Sequence, residues 1–432
     1  MKIEHVVQPG NRVEVKPSDV KRAVMGASIG NLIEWFDYAS YGYLATIIAV
    51  VFFPAGNPKL ALLATFGVFA VSFIARPIGG IIWGHYGDKL GRKKILILTL
   101  LLMSLSTFAI GIIPNYATIG IAAPLLLLLC RIVQGFSASG EYAGASLFIA
   151  EYAPKKRRGL LVSMVPASTA AGLMLGALAA FILEASLSQE AMQAWGWRIP
   201  FLLAGPLCLI ALYLRMKLED TPVFNEIGHS EEQLPIVQTV KLNWKQIIVA
   251  FGVVLLNAAG FYIILSYMPT YLTNELNFTG TKGILTTLVS LATYVIFLPM
   301  VGALADRVGR KPVLIGACIS FIVLSYPAFL MLTLGGIWPV IALILLGAIL
   351  AGNDGVLATF LTEMFPTKVR YTCFGLSFNL GNAIFGGTAP FIATFLIIQT
   401  DNQFAPAFYL MAAALVALLA LMRTKETAHK NL

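Results

Sequence analysis

Long apolar stretches, separated by short polar ones, run the length of the chain. Twelve stand out, near 23–52, 60–86, 95–113, 119–149, 160–184, 198–214, 247–273, 283–305, 313–333, 337–362, 371–396 and 404–422. A helix needs roughly 20 apolar residues to cross a bilayer, and the longer runs predict tilted or protruding ends. The pattern predicts an all-α membrane protein with twelve transmembrane helices. Composition agrees: 58% of residues are hydrophobic and 12% are charged, against about a quarter charged in soluble domains. Mean hydropathy is +0.82. Residues 1–22 are polar and the first apolar run is too long for a signal h-region, so no cleavable signal peptide is expected. Cys130, Cys208, Cys318 and Cys373 all fall inside apolar runs, without metal or disulfide spacing, and are read as small packing residues.

The formal net charge of +9 raises the question of a nucleic-acid partner. Its distribution answers no. With the N-terminus assigned to the cytoplasm, 25 of the 30 Lys and Arg fall in cytoplasmic stretches. Lys59, Lys282 and Arg198 fall outside, and Arg76 and Arg131 lie within runs. This asymmetry is the positive-inside rule, and it predicts both termini in the cytoplasm.

Two pairs of polar motifs recur. "GHYGDKLGRKK" (84–94) follows the second run and "GALADRVGRKP" (302–312) the eighth, with Asp88 and Asp306 218 residues apart. "EYAPKKRRG" (151–159) follows the fourth run and "EMFPTKVRY" (363–371) the tenth, with Glu151 and Glu363 212 apart. Nearly equal offsets for independent motifs imply two six-helix, pseudo-symmetric bundles in the same orientation. The boundaries read as a tail over 1–22, bundles over 23–217 and 247–423, a cytoplasmic linker over 218–246 and a tail over 424–432.

The stretch 84–94 and its second copy closely resemble the loop signature of the major facilitator superfamily, whose members pair two six-span halves around a midplane site. More narrowly, "GNLIEWFDY" (30–38), "RPIGG" (76–80), "QGFSASGEY" (134–142) and "WGWRIPF" (195–201) resemble the metabolite:proton symporter family, which includes proline/betaine, citrate, 2-oxoglutarate and shikimate carriers. The resemblance implies a secondary transporter of a small organic solute in the plasma (inner) membrane, working by alternating access as a monomer, with protons as coupling ion and no other cofactor. It also implies a cytoplasmic gate of Asp88, Arg92, Glu151 and Arg158, with Asp306, Arg310, Glu363 and Arg370 in the second half. The alternative for these loops is that their charge only sets topology. "GASLFIAEYAPKKRRG" (144–159) resembles the proline/betaine branch, whereas "NAIFGGTAP" (382–390) is closer to the citrate and 2-oxoglutarate branches. Long osmosensing members carry a C-terminal coiled coil, which this sequence lacks, so osmotic regulation is not expected.

Charges inside the runs carry the candidate chemistry. At 1.5 Å per residue, Asp37 lies about 21 Å and Arg131 about 18 Å into their runs, near the bilayer centre, and Arg76 about 24 Å in. Glu34 shares the face of Asp37. Glu141 lies nearer the cytoplasm, and Asp354 sits in the tenth run. Charge in hydrocarbon costs at least a few kcal/mol, so these groups should face the interior and find partners. With two arginines and three acids in the first half, at least one acid should be paired, and burial and like-charge neighbours should raise the pKa of another, which can then take up a proton. His5, His85, His229 and His429 are all outside the midplane, so a carboxylate must carry any proton. Asp37 is the first choice, with Arg131 sensing its protonation; Glu34 and Glu141 are alternates. The competing reading is a static salt-bridge network.

Arg76 or Arg131 can also bind a substrate carboxylate. Trp35, Tyr38 and Tyr41 offer ring faces to a quaternary ammonium group, although lipid or core packing accounts for most such rings. Tyr262, Asn353, Asp354, Asn379 and Asn382 are the candidate selectivity groups of the second half. A zwitterion of proline or betaine type is favoured over a small carboxylate. No enzyme constellation such as HExxH or GxSxG stands where it could act, so neither catalysis nor a metal site is expected. A drug/proton antiporter or exporter shares this architecture and remains the alternative. The small residues Gly172 and Gly176 in the fifth run are expected to let helices approach closely at a rocking interface.

Overall fold

The computed structural model describes residues 17–54, 56, 58–217, 236–278, 280–428 and 430. The tail up to residue 16, the linker segment 218–235 and His5, His229 and His429 lie outside the described residues. Among the described residues all regular structure is helical, as expected where every backbone N–H and C=O must be paired within its own segment in lipid. Eleven helices are long and apolar enough to cross a membrane, or twelve if one bent pair is a single span. They are numbered here as span 1 (Pro17–Tyr43 with Ala45–Phe52), 2 (Ala64–Leu90), 3 (Arg92–Ile112), 4 (Ala122–Tyr152), 5 (Lys155–Ser186), 6 (Gln189–Met216), 7 (Ile236–Asn274), 8 (Leu288–Val308), 9 (Arg310–Leu332), 10 (Trp338–Met364), 11 (Thr367–Thr400) and 12 (Ala405–Met422).

Packing follows the duplication. In the first bundle span 1 lies on span 5, span 2 on span 4, and span 3 on spans 4 and 6. In the second, span 7 lies on span 11, span 8 on span 10, and span 9 on spans 10 and 12. The bundles meet along span 2 against span 11 and span 5 against span 8.

Span 1 differs from the single straight helix its apolar run suggests. It bends by 70° at Leu44, whose φ of −92° and ψ of 10° leave the helical well. Beyond the bend, Ile48, Val51 and Phe52 join Trp197 and Phe201 in a separate apolar cluster. Spans 6, 7 and 11 each contain a π-helical turn, at Met192–Gly196, Tyr262–Tyr267 and Asn382–Gly386. Such turns displace backbone from the regular ladder and occur often at functional sites.

Gly172 and Gly176 do permit close approach, but not at the rocking interface. A Cβ on Gly172 would fall 2.4 Å from the carbonyl oxygen of Leu32, and one on Gly176 2.5 Å from Cβ of Ala39. Both partners are on span 1, so these glycines bind spans 1 and 5 within one bundle. Asn31 reinforces the same seam, donating to the Val165 carbonyl, Ser168 and Thr169. Close contact between bundles comes instead from glycines near the loop motifs. A Cβ on Gly84 would lie 2.6 Å from Cα of Thr372, and one on Gly302 2.5 Å from the carbonyl oxygen of Gly159. Gly84→Ala is therefore expected to part spans 2 and 11 at this end. In a background without the native cysteines, maleimide labelling of Thr372→Cys should rise when Gly84 is replaced.

Candidate functional site

Three acids and three arginines form buried pairs in the first bundle. Arg131 Nη1 donates to Asp37 Oδ2 at 2.9 Å, and Gln134 Nε2, one turn along span 4, donates to the same oxygen at 3.1 Å. Gln134 is held by a 2.7 Å bond to Thr107 of span 3. The Arg131 guanidinium lies 3.7 Å over the Tyr41 ring. Arg76 Nη2 donates to Glu34 Oε1 at 3.0 Å. Glu141 accepts from Arg215 and from Thr99. All six charged residues are buried.

The third pair uses an arginine that the charge distribution assigned to a cytoplasmic stretch. Arg215 stands at the end of an apolar run and reads as a loop cation, yet it is only 2% exposed. Its guanidinium also donates to backbone carbonyls of Gly26 and Leu96. Nothing in the local pattern distinguishes it from a solvated topogenic charge; only the position of span 4 brings Glu141 to it.

The Arg76–Glu34 pair lies where the bundles meet. The Arg76 guanidinium carbon is 4.9 Å from the Tyr38 ring centre, 5.0 Å from Phe73 and 5.8 Å from Trp35. From the second bundle, Phe261 packs on Trp35 with ring centres 5.1 Å apart and Tyr262 on Phe73 at 5.8 Å. Within this aromatic enclosure Glu34 Oε2, Trp35 Nε1, Tyr38 Oη, Arg76 Nε and Tyr262 Oη are buried and without a hydrogen-bond partner. Buried polar atoms are normally satisfied, so five such atoms in one place form a prepared polar site. Phe73 and Phe261 were missed in the sequence because apolar rings in apolar runs carry no distinguishing signal.

Other candidates are placed differently from expectation. Tyr41 does not line this enclosure: it is fully buried, stacks on Phe69 and donates to the Thr65 carbonyl. Asn379 donates to the Ser139 carbonyl of the first bundle and to Gly375, and so joins the bundles rather than offering its amide N–H to a solute. Asn382 donates to the Phe378 carbonyl. Asn353 is fully buried with neither amide atom bonded. Asp354 is bonded within its own bundle, by Asn257 Nδ2 at 2.6 Å and the Tyr294 hydroxyl at 2.6 Å.

At the basic end, the loop motifs form two symmetry-related latches between the bundles. Asp88 lies in the last turn of span 2 rather than in the turn itself. That turn is made by Gly91, whose φ of 102° suits glycine, and Gly309 repeats it at 110°. Asp88 accepts from the backbone N–H of Tyr371 and Thr372, at 3.2 and 3.0 Å. Asp306 accepts from Gly159 and Leu160, at 2.7 and 2.9 Å. Each carboxylate thus caps the start of a helix in the opposite bundle, where unpaired N–H groups and the helix dipole favour anions by about 0.3–1 kcal/mol, more when buried. Arginines complete both latches. Arg92 lies 3.4 Å from Asp88 and from Glu151, and Arg370 lies 3.3 Å from Glu151. Arg310 lies 2.7 Å from Asp306 and 3.2 Å from Glu363, and Arg158 lies 2.8 Å from Glu363.

The segment after span 12 folds onto the second latch. Thr427 donates to Glu363 at 3.0 Å, and Arg158 donates to the Lys430 carbonyl at 3.1 Å. Although partial burial pushes the Glu426 carboxyl up, backbone N–H groups of Ala428, Arg310, Lys311 and Thr427 hold it below its ordinary value. Among the described residues no group of His, Cys, Asp and Glu is arranged to hold a metal ion.

Comparisons with known proteins agree with this geometry. The family model described as Major Facilitator Superfamily matches residues 27–370 and 250–432. The chain is 38% identical over 435 residues to the proline/betaine transporter of Salmonella typhimurium, covering 98% of this chain and 87% of that protein. It is 38% identical over 427 residues to the glycine betaine/proline/ectoine/pipecolic acid transporter OusA of Dickeya dadantii, covering 96% and 85%. Among solved structures, the proton:xylose symporter XylE bound to 6-bromo-6-deoxy-D-glucose superposes with a TM-score of 0.78 at 18% identity, covering 95% of this chain and 97% of that one.

The pairing of Asp37 with Arg131 makes a double-mutant cycle informative. Arg131→Gln leaves the buried Asp37 carboxylate without its counter-charge and is expected to cost about 3–5 kcal/mol. Adding Asp37→Asn should restore much of that loss, read as recovery of the melting temperature in detergent.

Proposed function

The chain belongs to the major facilitator superfamily, and from that membership and the midplane geometry we propose that it is a secondary active transporter coupling protons to uptake of a small zwitterion of proline or betaine type. The observation that carries this reading is the Arg76–Glu34 pair, 3.0 Å apart inside a shell of aromatic rings. A zwitterion brings one charge of each sign, so it can replace both partners without changing the net charge of the site. Its carboxylate suits the Arg76 fork. Its quaternary or secondary ammonium suits Glu34 and the faces of Trp35, Tyr38 and Phe73. A di- or tricarboxylate would bring surplus negative charge to a place where each arginine already has a carboxylate, which favours the zwitterion.

Asp37 is the carboxylate assigned to the coupling proton. Arginine has no acceptor, so protonating Asp37 weakens its hold on Arg131 and frees that guanidinium to exchange partners. The latches of Asp88 and Asp306 hold the basic end shut while the opposite end opens. By the positive-inside rule this end is read as cytoplasmic, with both termini inside and the protein in the plasma membrane as a lipid-embedded monomer. The driving force is adequate: one proton crossing 100 mV yields about 2.3 kcal/mol, and a pH unit adds about 1.4. Together they sustain roughly a 500-fold gradient of a neutral solute.

Proteoliposomes given an inward proton gradient test this reading. Labelled proline or glycine betaine should accumulate and an uncoupler should abolish it, whereas citrate, 2-oxoglutarate and shikimate should not accumulate. Export, or accumulation of a carboxylate alone, would count against it. Asp37→Asn mimics the protonated acid permanently and strands Arg131, so return of the empty carrier should be arrested. Net uptake is then lost while solute exchange persists; unchanged uptake would remove Asp37 from this role. Arg76→Lys loses the forked contact and is expected to raise KM about tenfold.

A further inference from the structure

Of the four carboxylates buried within the spans away from the latches, among the described residues, three have an arginine: Glu34, Asp37 and Glu141. Asp354 does not. It is 1% exposed, and among the described residues neither of its oxygens has an ion-pair partner. Its partners are both neutral donors, the amide of Asn257 on span 7 and the hydroxyl of Tyr294 on span 8, each at 2.6 Å. The titratable group bonded to it is the phenol of Tyr294. We propose that Asp354 is a second proton-carrying carboxylate of the transport cycle, loaded and unloaded separately from Asp37; this rests on the proton-symport reading above.

The chemistry of the partners carries the argument. An arginine can only donate, so an acid beside it must give up its pair to accept a proton. Asn257 and Tyr294 each have an acceptor oxygen as well as a donor. They can donate to the carboxylate, or accept from the carboxylic acid once the amide flips or the hydroxyl rotates. The site is therefore satisfied in both states and commits to neither. A lone carboxylate in hydrocarbon, lacking a counter-charge, is costly, and taking up a proton removes that cost. The step is simple in atoms: a proton from water joins one carboxylate oxygen, and the same O–H bond breaks when the site next meets water on the other side.

The location provides a trigger. Tyr142 belongs to the first bundle and stacks on Phe378 of the second, with ring centres 4.3 Å apart and planes 2° from parallel. Rocking the bundles must separate this stacked pair.

The test uses purified full-length protein in proteoliposomes, with a trapped pH indicator reading protons and labelled proline or glycine betaine reading solute. Asp354→Asn strands no buried cation and should halve the protons taken up per solute. An unchanged ratio would overturn the proposal and leave Asp354 a structural group. A wild type that moves solute with no protons would overturn the symport reading itself, an outcome recognisable without any variant. If Asp354→Asn fails to fold, Tyr294→Phe leaves the carboxyl in place and removes one donor to its ionised form. The pH midpoint of uptake should then move upward, and an unmoved midpoint would overturn the proposal.

Discussion

An ionised side chain cannot stand alone in hydrocarbon, and much of the fold is arranged around that constraint. Each arginine buried between the spans meets a carboxylate from another span. Arg131 ties span 4 to span 1, Arg76 ties span 2 to span 1, and Arg215 ties span 6 to span 4. These links cross-brace the first bundle, and the glycine seam between spans 1 and 5 locks it further. The second bundle has Asp354 as its midplane acid, bonded by neutral groups. One half thus carries a network of paired charges and the other a neutral polar cluster.

The basic end obeys the same rule in a different geometry. There the acids pair with arginines and also with the exposed N–H groups at the start of helices in the opposite bundle. Such contacts are strong only when the two bundles are in register, because a helix start offers its donors over a narrow range of positions. Gly84 and Gly302 permit that register by letting backbones touch. The latches are therefore sensitive to the relative orientation of the bundles, whereas the midplane pairs, lying within one bundle, are not.

In the Arg76 enclosure charge, aromatic faces and both bundles coincide. Trp35, Tyr38, Phe73 and Arg76 come from the first bundle, and Phe261 and Tyr262 from the second. The enclosure is therefore lined by both bundles at once. The π-helical turn at Tyr262–Tyr267 places Tyr262 at this junction, where a regular helix would turn its following residues differently.

The sequence by itself determined the number of spans, the duplication and the residues that form the latches. Hydropathy, charge asymmetry and repeated spacing are properties of the linear chain, and lipid forces them into one architecture. It also marked Asp37, Arg131, Glu34 and Arg76, because an ionisable residue inside an apolar run stands out. Tertiary structure alone decided who pairs with whom. Arg215 looked like a loop charge until span 4 brought Glu141 against it, Tyr41 looked like a cavity ring until it packed beneath Arg131, and Asp354 looked like its fellow acids until it was seen to lack a cation. Pairing depends on which faces of distant helices meet, and the chain's own periodicity tells only which residues share a face, not what that face will touch.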